Sequence, residues 1–260
     1  MTSDSSVPSP EPIAAETKPE IDLERQVRFK SEAGRLLLLF PLETTNSGQW
    51  SDIWQQLKQR LDAGERFWQP DTEVTLVVRE RLLDARQLQA IAEALSQAKM
   101  QLKSVATSRR QTAVAAATAG YSVEQQTVQP IINPKTSMSS SPAEPLYLET
   151  TVRSGVEIRH PGTVIIMGDL NPGGSVIAAG DILVWGRLRG VVHAGAAGNS
   201  QCVIMALQME PTQIRIADYV ARSPETPPAQ VYPEVAYVTT AGIRIARAMD
   251  FSKTNFRSQS

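Results

Sequence analysis

Gly162-Thr163-Val164-Ile165-Ile166-Met167-Gly168 and Gly180-Asp181-Ile182-Leu183-Val184-Trp185-Gly186 align without a gap at an offset of 18 residues, and Gly198 lies a further 18 on. Each segment is a short apolar run between glycines. Across residues 150–222 long amphipathic helical patterns vanish. Glycine corners separated by short strands at a fixed period mark a chain wound in stacked coils. One coil cannot bury its own inner face, so inward Val, Ile and Leu of successive coils must stack into a core. If the next coil gains two residues, Cys202, Ile204 and Ala206 follow Ile182, Val184 and Gly186, and Ile214 with Ile216 supplies another rung. The period predicts a parallel β-helix with three short faces per coil. An irregular β-sandwich with coincidental glycine spacing is the alternative.

Upstream, residues 21–125 read as an α/β unit. Val27 and Phe29 alternate with charge, and Arg35 to Phe40 is short enough for a buried strand, so a hairpin is expected there. Trp50, Trp54, Leu57 and Leu61 fall at helical spacing, with Gly64 placed to end the helix. Thr72–Val78 reads as a strand. Asp84 can cap a second helix that carries Leu88, Ile91, Leu95 and Ala98 on one face. Leu102–Thr107 follows as a strand, and Ser108 can cap an Ala-rich helix ending near Gly120. Interleaved helices and strands favour a sheet with helices against it.

Three further segments frame these units. Residues 1–20, rich in Pro and acids, are expected to be a disordered tail. Residues 126–149 hold Pro130, Pro134, Pro142 and Pro145 among Ser, Thr and Gln, and read as a flexible linker. Residues 223–260 form a C-terminal extension in which Val235–Val238 and Ile243–Ile245 are either one more strand pair or a partly ordered tail.

Composition bounds the function. The 260 residues carry a net charge of -1, which argues against a nucleic-acid binder driven by counterion release. A single cysteine permits no internal disulfide and no Cys-rich zinc site. Met1 to Pro12 lacks the basic start and apolar run of a signal peptide, and no stretch approaches the ~20 apolar residues of a membrane span, so a cytoplasmic protein is expected. There is no G-x-x-x-x-G-K-[ST], G-x-G-x-x-G, H-E-x-x-H or G-x-S-x-G. His160 and His193 read as surface or corner residues, Cys202 as a small buried hydrophobe, and the Trp50/Trp54 pair as core. No catalytic residue, metal ligand or cofactor is expected, and the chain is read as a non-enzyme. Asp169 and Asp181 fit turn chemistry, or a charged contact on a flat face opposite Arg153, Arg187 and Arg189.

A resemblance sharpens this reading. Arg153-Ser154-Gly155, Gly168-Asp169-Leu170-Asn171-Pro172-Gly173, Ala179-Gly180-Asp181-Ile182, Gly186-Arg187-Leu188-Arg189-Gly190 and Ala194-Gly195-Ala196 together resemble the C-terminal domain of the MinC family, the bacterial septum site-determining inhibitors. Arg109 to Ala115, with Gly120-Tyr121, is the best match to that family's N-terminal domain. Some positions depart from the family pattern. Val156 stands where the partner-binding motif has glutamine, Ser175 where glutamate is usual, Val191 where arginine often follows, and Lys30-Ser31 where Lys-Gly is frequent.

The resemblance implies two domains: an N-terminal α/β sheet with helices at 21–125, and a C-terminal right-handed parallel β-helix at 150–222. It further implies a cell division inhibitor that blocks assembly of the tubulin-like division GTPase FtsZ at wrong sites. Its partners would be FtsZ, the membrane-bound ATPase MinD, and a second copy bound through the C-terminal domain. The inner face of the cytoplasmic membrane would be reached only through MinD. The implied partner-binding residues are Arg153, Ser154, Gly155, Asp169, Gly173 and Arg189. The rival from a different class is a polymerising β-helix scaffold of the bactofilin type.

Overall fold

The structure, a computed structural model, describes residues 26–32, 35–41, 49–64, 69–126, 143–222 and 232–251. The expected tail at 1–20, most of the expected linker, and the stretches 223–231 and 252–260 lie outside the described residues.

The N-terminal unit follows its sequence pattern closely. β1 (Arg28–Glu32) pairs antiparallel with β2 (Arg35–Leu39) in the expected hairpin. α1 (Trp50–Gly64) leads to β3 (Thr72–Arg79), which runs parallel to β2. α2 (Ala85–Gln97) begins at a reciprocal cap. The Asp84 carboxylate accepts the Gln87 N–H at 2.7 Å, and the Gln87 side chain accepts the Asp84 N–H at 3.0 Å. β4 (Met100–Thr107), α3 (Arg110–Thr118) and β5 (Ser122–Gln125) complete the unit, with β3, β4 and β5 all parallel. Alternate residues Val74, Leu76 and Val78 are buried in one core with Ile53, Leu57 and Leu61 of α1 and Leu88, Ile91 and Leu95 of α2. Each such side chain contributes roughly 1.5–3 kcal/mol by leaving water. Trp50 and Trp54 stack at 5.7 Å between ring centroids and pack only partly buried against this core. The expected Ser108 cap is not formed. The Ser108 hydroxyl donates to the Arg79 carbonyl, and the Thr107 hydroxyl accepts the Arg109 N–H instead.

The C-terminal unit is built of stacked coils. One parallel ladder joins β6 (Ala143–Leu148), β8 (Gly162–Ile166), β10 (Ile182–Leu188) and β12 (Ile204–Met209). A second joins β7 (Glu157–His160), β9 (Ser175–Ala178), β11 (Val191–Ala194) and β13 (Gln213–Ile216). Between them Val152, Leu170 and Leu188 bridge in parallel, all buried. Val164 pairs with Ile182, and Glu157 with Ser175, at the expected offset of 18. The last coil differs from expectation. Ile182 pairs with Ile204 and Val184 with Ala206, so this coil gains four residues rather than two. A turn at Gly195–Asn199 absorbs them, and the Asp181 carboxylate accepts the Val203 N–H at 2.9 Å to re-enter register. β14 (Tyr219–Ala221) and the hairpin β15 (Glu234–Thr239) with β16 (Gly242–Arg247) then pair antiparallel on β13 and β12. Of the two readings of the C-terminal extension, the strand pair is therefore the one observed.

Two boundaries need correction. The linker read through residue 149 ends earlier, because Ala143–Leu148 is the first strand of the coil ladder, with Leu146 and Leu148 fully buried. The two units are also not joined through a linker alone. β5 pairs parallel with β7, at Val123↔Ile158 and Glu124↔Arg159, so one ten-stranded sheet runs from β1 to β14 through both. The physical reason is general: two strand edges with unpaired backbone groups satisfy each other.

Candidate functional site

The buried bridge of Val152, Leu170 and Leu188 lies beneath a corner of the coil stack. The residues beside it repeat the 18-residue offset. Thr151, Asp169 and Arg187 precede the bridging positions, and Arg153, Asn171 and Arg189 follow them. Because coils stack in register, residues far apart in sequence form continuous polar ladders here.

Charge is locked into the ladder at Asp169. Its Oδ1 accepts the Arg187 N–H at 2.8 Å, and its Oδ2 accepts Arg187 Nε and Nη2 at 3.1 and 2.9 Å. The Arg187 backbone N–H foremost, and then its guanidinium, hold the Asp169 carboxyl below the usual carboxylate range. Arg189 Nη2 donates to Asn171 Oδ1 at 2.6 Å and stands 3.9 Å from Asp169 Oδ2. Arg189 Nε is buried with no hydrogen-bond partner among the described residues. The Arg153 side chain is exposed and makes no hydrogen bond or ion pair among the described residues.

The turn that carries Arg153 is set by glycine. Val156 N–H donates to the Arg153 carbonyl at 3.2 Å, and Gly155 sits at φ +79°. Gly155 N–H donates to the Gly173 carbonyl of the next coil at 2.9 Å, and Gly173 repeats φ +79°. A Cβ on Gly173 would strike Ser154 Oγ. The left-handed backbone at both positions favours glycine.

All six residues expected from the resemblance thus reach one corner. Arg153, Ser154, Gly155 and Gly173 are exposed at the turn, while Asp169 and Arg189 are half-buried in the ladder. The six expected partner-binding residues do not include Arg187 and Asn171, the direct partners of Asp169 and Arg189. The offset that aligns the coils also links Asp169 to Arg187 and Asn171 to Arg189, so the signal was present. Val156 packs against the core, and an apolar residue suits that inward position.

The two histidines are placed differently from expectation, while Cys202 is buried as expected. His160 is not a surface or corner residue. It is 5% exposed, at an inward coil position, with Nδ1 3.0 Å from Gln125 Oε1 and Nε2 3.0 Å from the Glu144 carbonyl. Burial above all lowers its pKa. His193 is half-buried with Nε2 3.0 Å from the Ala217 carbonyl, and burial lowers its pKa too. Cys202 is buried, with Sγ 3.7 Å from the Ala179 carbonyl. Among the described residues no three of His, Cys, Asp and Glu cluster as metal ligands would, and no helix is long and apolar enough to cross a membrane. Among the described residues the corner presents the exposed Arg153 guanidinium without a partner, the Asp169–Arg187 ion pair and a tight glycine turn.

Comparison with known proteins places the whole chain. Residues 146–248 match the family described as septum formation inhibitor MinC, C-terminal domain. A probable septum site-determining protein MinC from Nostoc sp. is 61% identical over 88% of this chain, which spans 63% of that relative's length. Relatives of the same name from Gloeobacter violaceus and Thermosynechococcus vestitus are 52% and 46% identical. The first alignment covers 92% of this chain and 85% of the relative, and the second 97% of each. Among solved structures, the MinC:MinD cell division protein complex of Aquifex aeolicus is 35% identical, covering 45% of this chain and 96% of that one, with a TM-score of 0.39. The family match spans every coil of the stack, and the relatives extend it across the N-terminal unit as well. The chain belongs to the MinC family of septum formation inhibitors.

Proposed function

We propose that this chain inhibits septum formation by blocking assembly of the division GTPase FtsZ, and that the ATPase MinD recruits it through the corner around Arg153. The observation that carries the reading is the convergence of Arg153, Ser154, Gly155, Asp169, Gly173 and Arg189 on one edge of the stack, with the Arg153 guanidinium left free. An unpaired arginine beside a rigid turn suits a carboxylate-bearing protein surface. Asp169 is occupied by Arg187, so it orders the ladder rather than offering charge.

The C-terminal unit is read as a right-handed parallel β-helix. Parallel ladders stacked coil on coil support it, as does the strong preference of parallel crossovers for that hand. Homodimerisation is assigned to its outward apolar row of Tyr147, Ile165, Leu183 and Met205, flanked by Met167 and Trp185. Tyr147, Met167 and Trp185 are 45%, 38% and 64% exposed, a patch that a second copy would cover. Doubling weak contacts in a dimer raises avidity through effective concentration. The protein is read as cytoplasmic, reaching the membrane only through MinD.

Two assays test the reading. FtsZ pelleted with GTP should fall when the full chain is added, whereas a scaffold would pellet by itself. Arg153→Ala should weaken recruitment to MinD-bearing vesicles at least about tenfold while leaving the melting temperature and FtsZ pelleting unchanged. Unchanged recruitment refutes the assignment of the corner.

A further inference from the structure

We propose that the outer edge of β7 is an acceptor for one parallel strand, that β5 of the same chain is its displaceable occupant, and that His160 clasps the two. Three observations lead there.

The first is the character of the column that holds His160. It pairs in register with Ala178, and the matching inward positions of the later coils are Ala194 and Ile216, all fully buried. An imidazole in an apolar column must find polar partners. It finds one on each side: the Gln125 side chain of β5 and the Glu144 carbonyl of β6. Both partners are oxygens that accept, so the neutral ring donates to one of them at a time, to Gln125 Oε1 through Nδ1–H or to the Glu144 carbonyl through Nε2–H. Only Gln125 belongs to the N-terminal unit. Undocking β5 therefore removes one of the two acceptors available to the buried ring.

The second is the size of the joint. β5 and β7 are in register at Val123↔Ile158 and Glu124↔Arg159 alone, whereas β3 and β4 stay paired from Thr72↔Met100 to Arg79↔Thr107. Val123 and Ile158 are its buried apolar pair. Four register pairs join β4 to β5 and β7 to β9 on either side, so this shorter seam opens at lower cost.

The third is the polarity of what remains. Ser122 Oγ accepts the Glu157 N–H at 3.0 Å. Arg110 Nη1 reaches the Glu144 carboxylate at 3.1 Å and donates to the Pro145 carbonyl at 3.3 Å. The Arg110 and Glu144 side chains are 51% and 83% exposed, so solvent screens that pair. Small polar seams between units of one chain behave like transient interfaces, not like a core. Without β5, the edge of β7 would present unpaired backbone groups to any extended strand. The docked unit occupies that edge, and release frees both edges together while residues 127–142 keep the units tethered.

The test uses the full chain with Cys202→Ala, Glu124→Cys and Arg159→Cys. These two exposed positions face each other across the joint. Mild oxidation should link them within one chain, identified by the linked peptide on a species that migrates as a monomer. A link between two chains shows that a second copy supplies the strand and overturns the same-chain occupant. No link overturns the joint itself. Hydrogen exchange on the chain without these cysteines tests displacement. Amides bridging β5 and β7 should exchange ahead of those in β3, β4 and β9, and Gln125→Ala should speed them about tenfold without changing β9. Equal protection in both sets, or no effect of Gln125→Ala, refutes a displaceable occupant. None of these readouts involves FtsZ or MinD, so they stand or fall apart from the function proposed above.

Discussion

Gly186→Ala puts the packing of the corner to a severe test. Gly186 lies in β10 where the ladder with β12 shifts register, between Trp185 and Arg187. A Cβ there would strike the Gly168 carbonyl oxygen, and would lie 2.6 Å from Asp169 Oδ1 and 2.7 Å from the Gly168 carbonyl carbon. Ordinary contact begins at 3.4 Å, and backbone atoms cannot rotate away. The coils must separate locally by the better part of an ångström. That strains three short bonds between them: Arg187 N–H to Asp169 Oδ1 at 2.8 Å, Leu170 N–H to the Arg187 carbonyl at 2.9 Å, and Arg189 N–H to the Leu170 carbonyl at 2.8 Å. Overpacking of this kind costs typically 1–3 kcal/mol, and each weakened bond adds up to about 1 kcal/mol, for a loss of roughly 3 kcal/mol or more. Gly155→Ala is the control. Its Cβ would meet nothing within 4 Å, so only the left-handed backbone strain remains, about 1 kcal/mol. Denaturant unfolding of the full chain, followed by circular dichroism, measures both. If Gly186→Ala proves no more damaging than Gly155→Ala, the stacked-coil geometry at this corner is wrong.

The remaining predictions concern the cap, the ion pair and the apolar row. Asp84→Ala removes the carboxylate half of the α2 capping box, keeps the backbone N–H that donates to Gln87, and should cost about 1 kcal/mol in the same unfolding assay, with no change in oligomeric state. Asp169 titrates lower folded than unfolded, so its contribution is complete above the ordinary carboxylate value and fades as pH falls through the folded one. Asp169→Asn should therefore flatten the acid limb of stability against pH below about 4, and an unaltered limb would show that the Arg187 contact contributes nothing. Trp185→Ser should shift the chain toward monomer in light scattering at micromolar concentration, since Trp185 is the most exposed aromatic beside the outward row. Persistence of the dimer would remove that row from the interface.

Much of this molecule was legible as local pattern. The hairpin of β1 and β2, the Asp84 cap, the alternation in β3 and the 18-residue glycine offset are all read from residues close in sequence, and each matches an element of the structure. Such features depend on short-range sterics, hydrogen bonding and burial on one face, which the order of residue types encodes directly. The Arg153–Gly155 turn and its stacking on Gly173 follow from the same period, so the candidate corner was traceable before its atoms were placed. Tertiary structure decided what period alone leaves open. The four extra residues of the last coil are accommodated because Asp181 can reach Val203, a contact between coils that no local pattern reports. Ala143–Leu148, with Pro142 before it and Pro145 within it, looks like linker and becomes a strand because β8 offers it an edge. His160 looks like a corner residue beside Pro161. It is inward and buried because β5 brings Gln125 to its ring, and the joint of β5 with β7 depends on two edges that lie 35 residues apart in sequence. Local sequence specifies which faces must be buried and where strands can turn. Which edge meets which is settled only when the whole chain competes to satisfy its backbone.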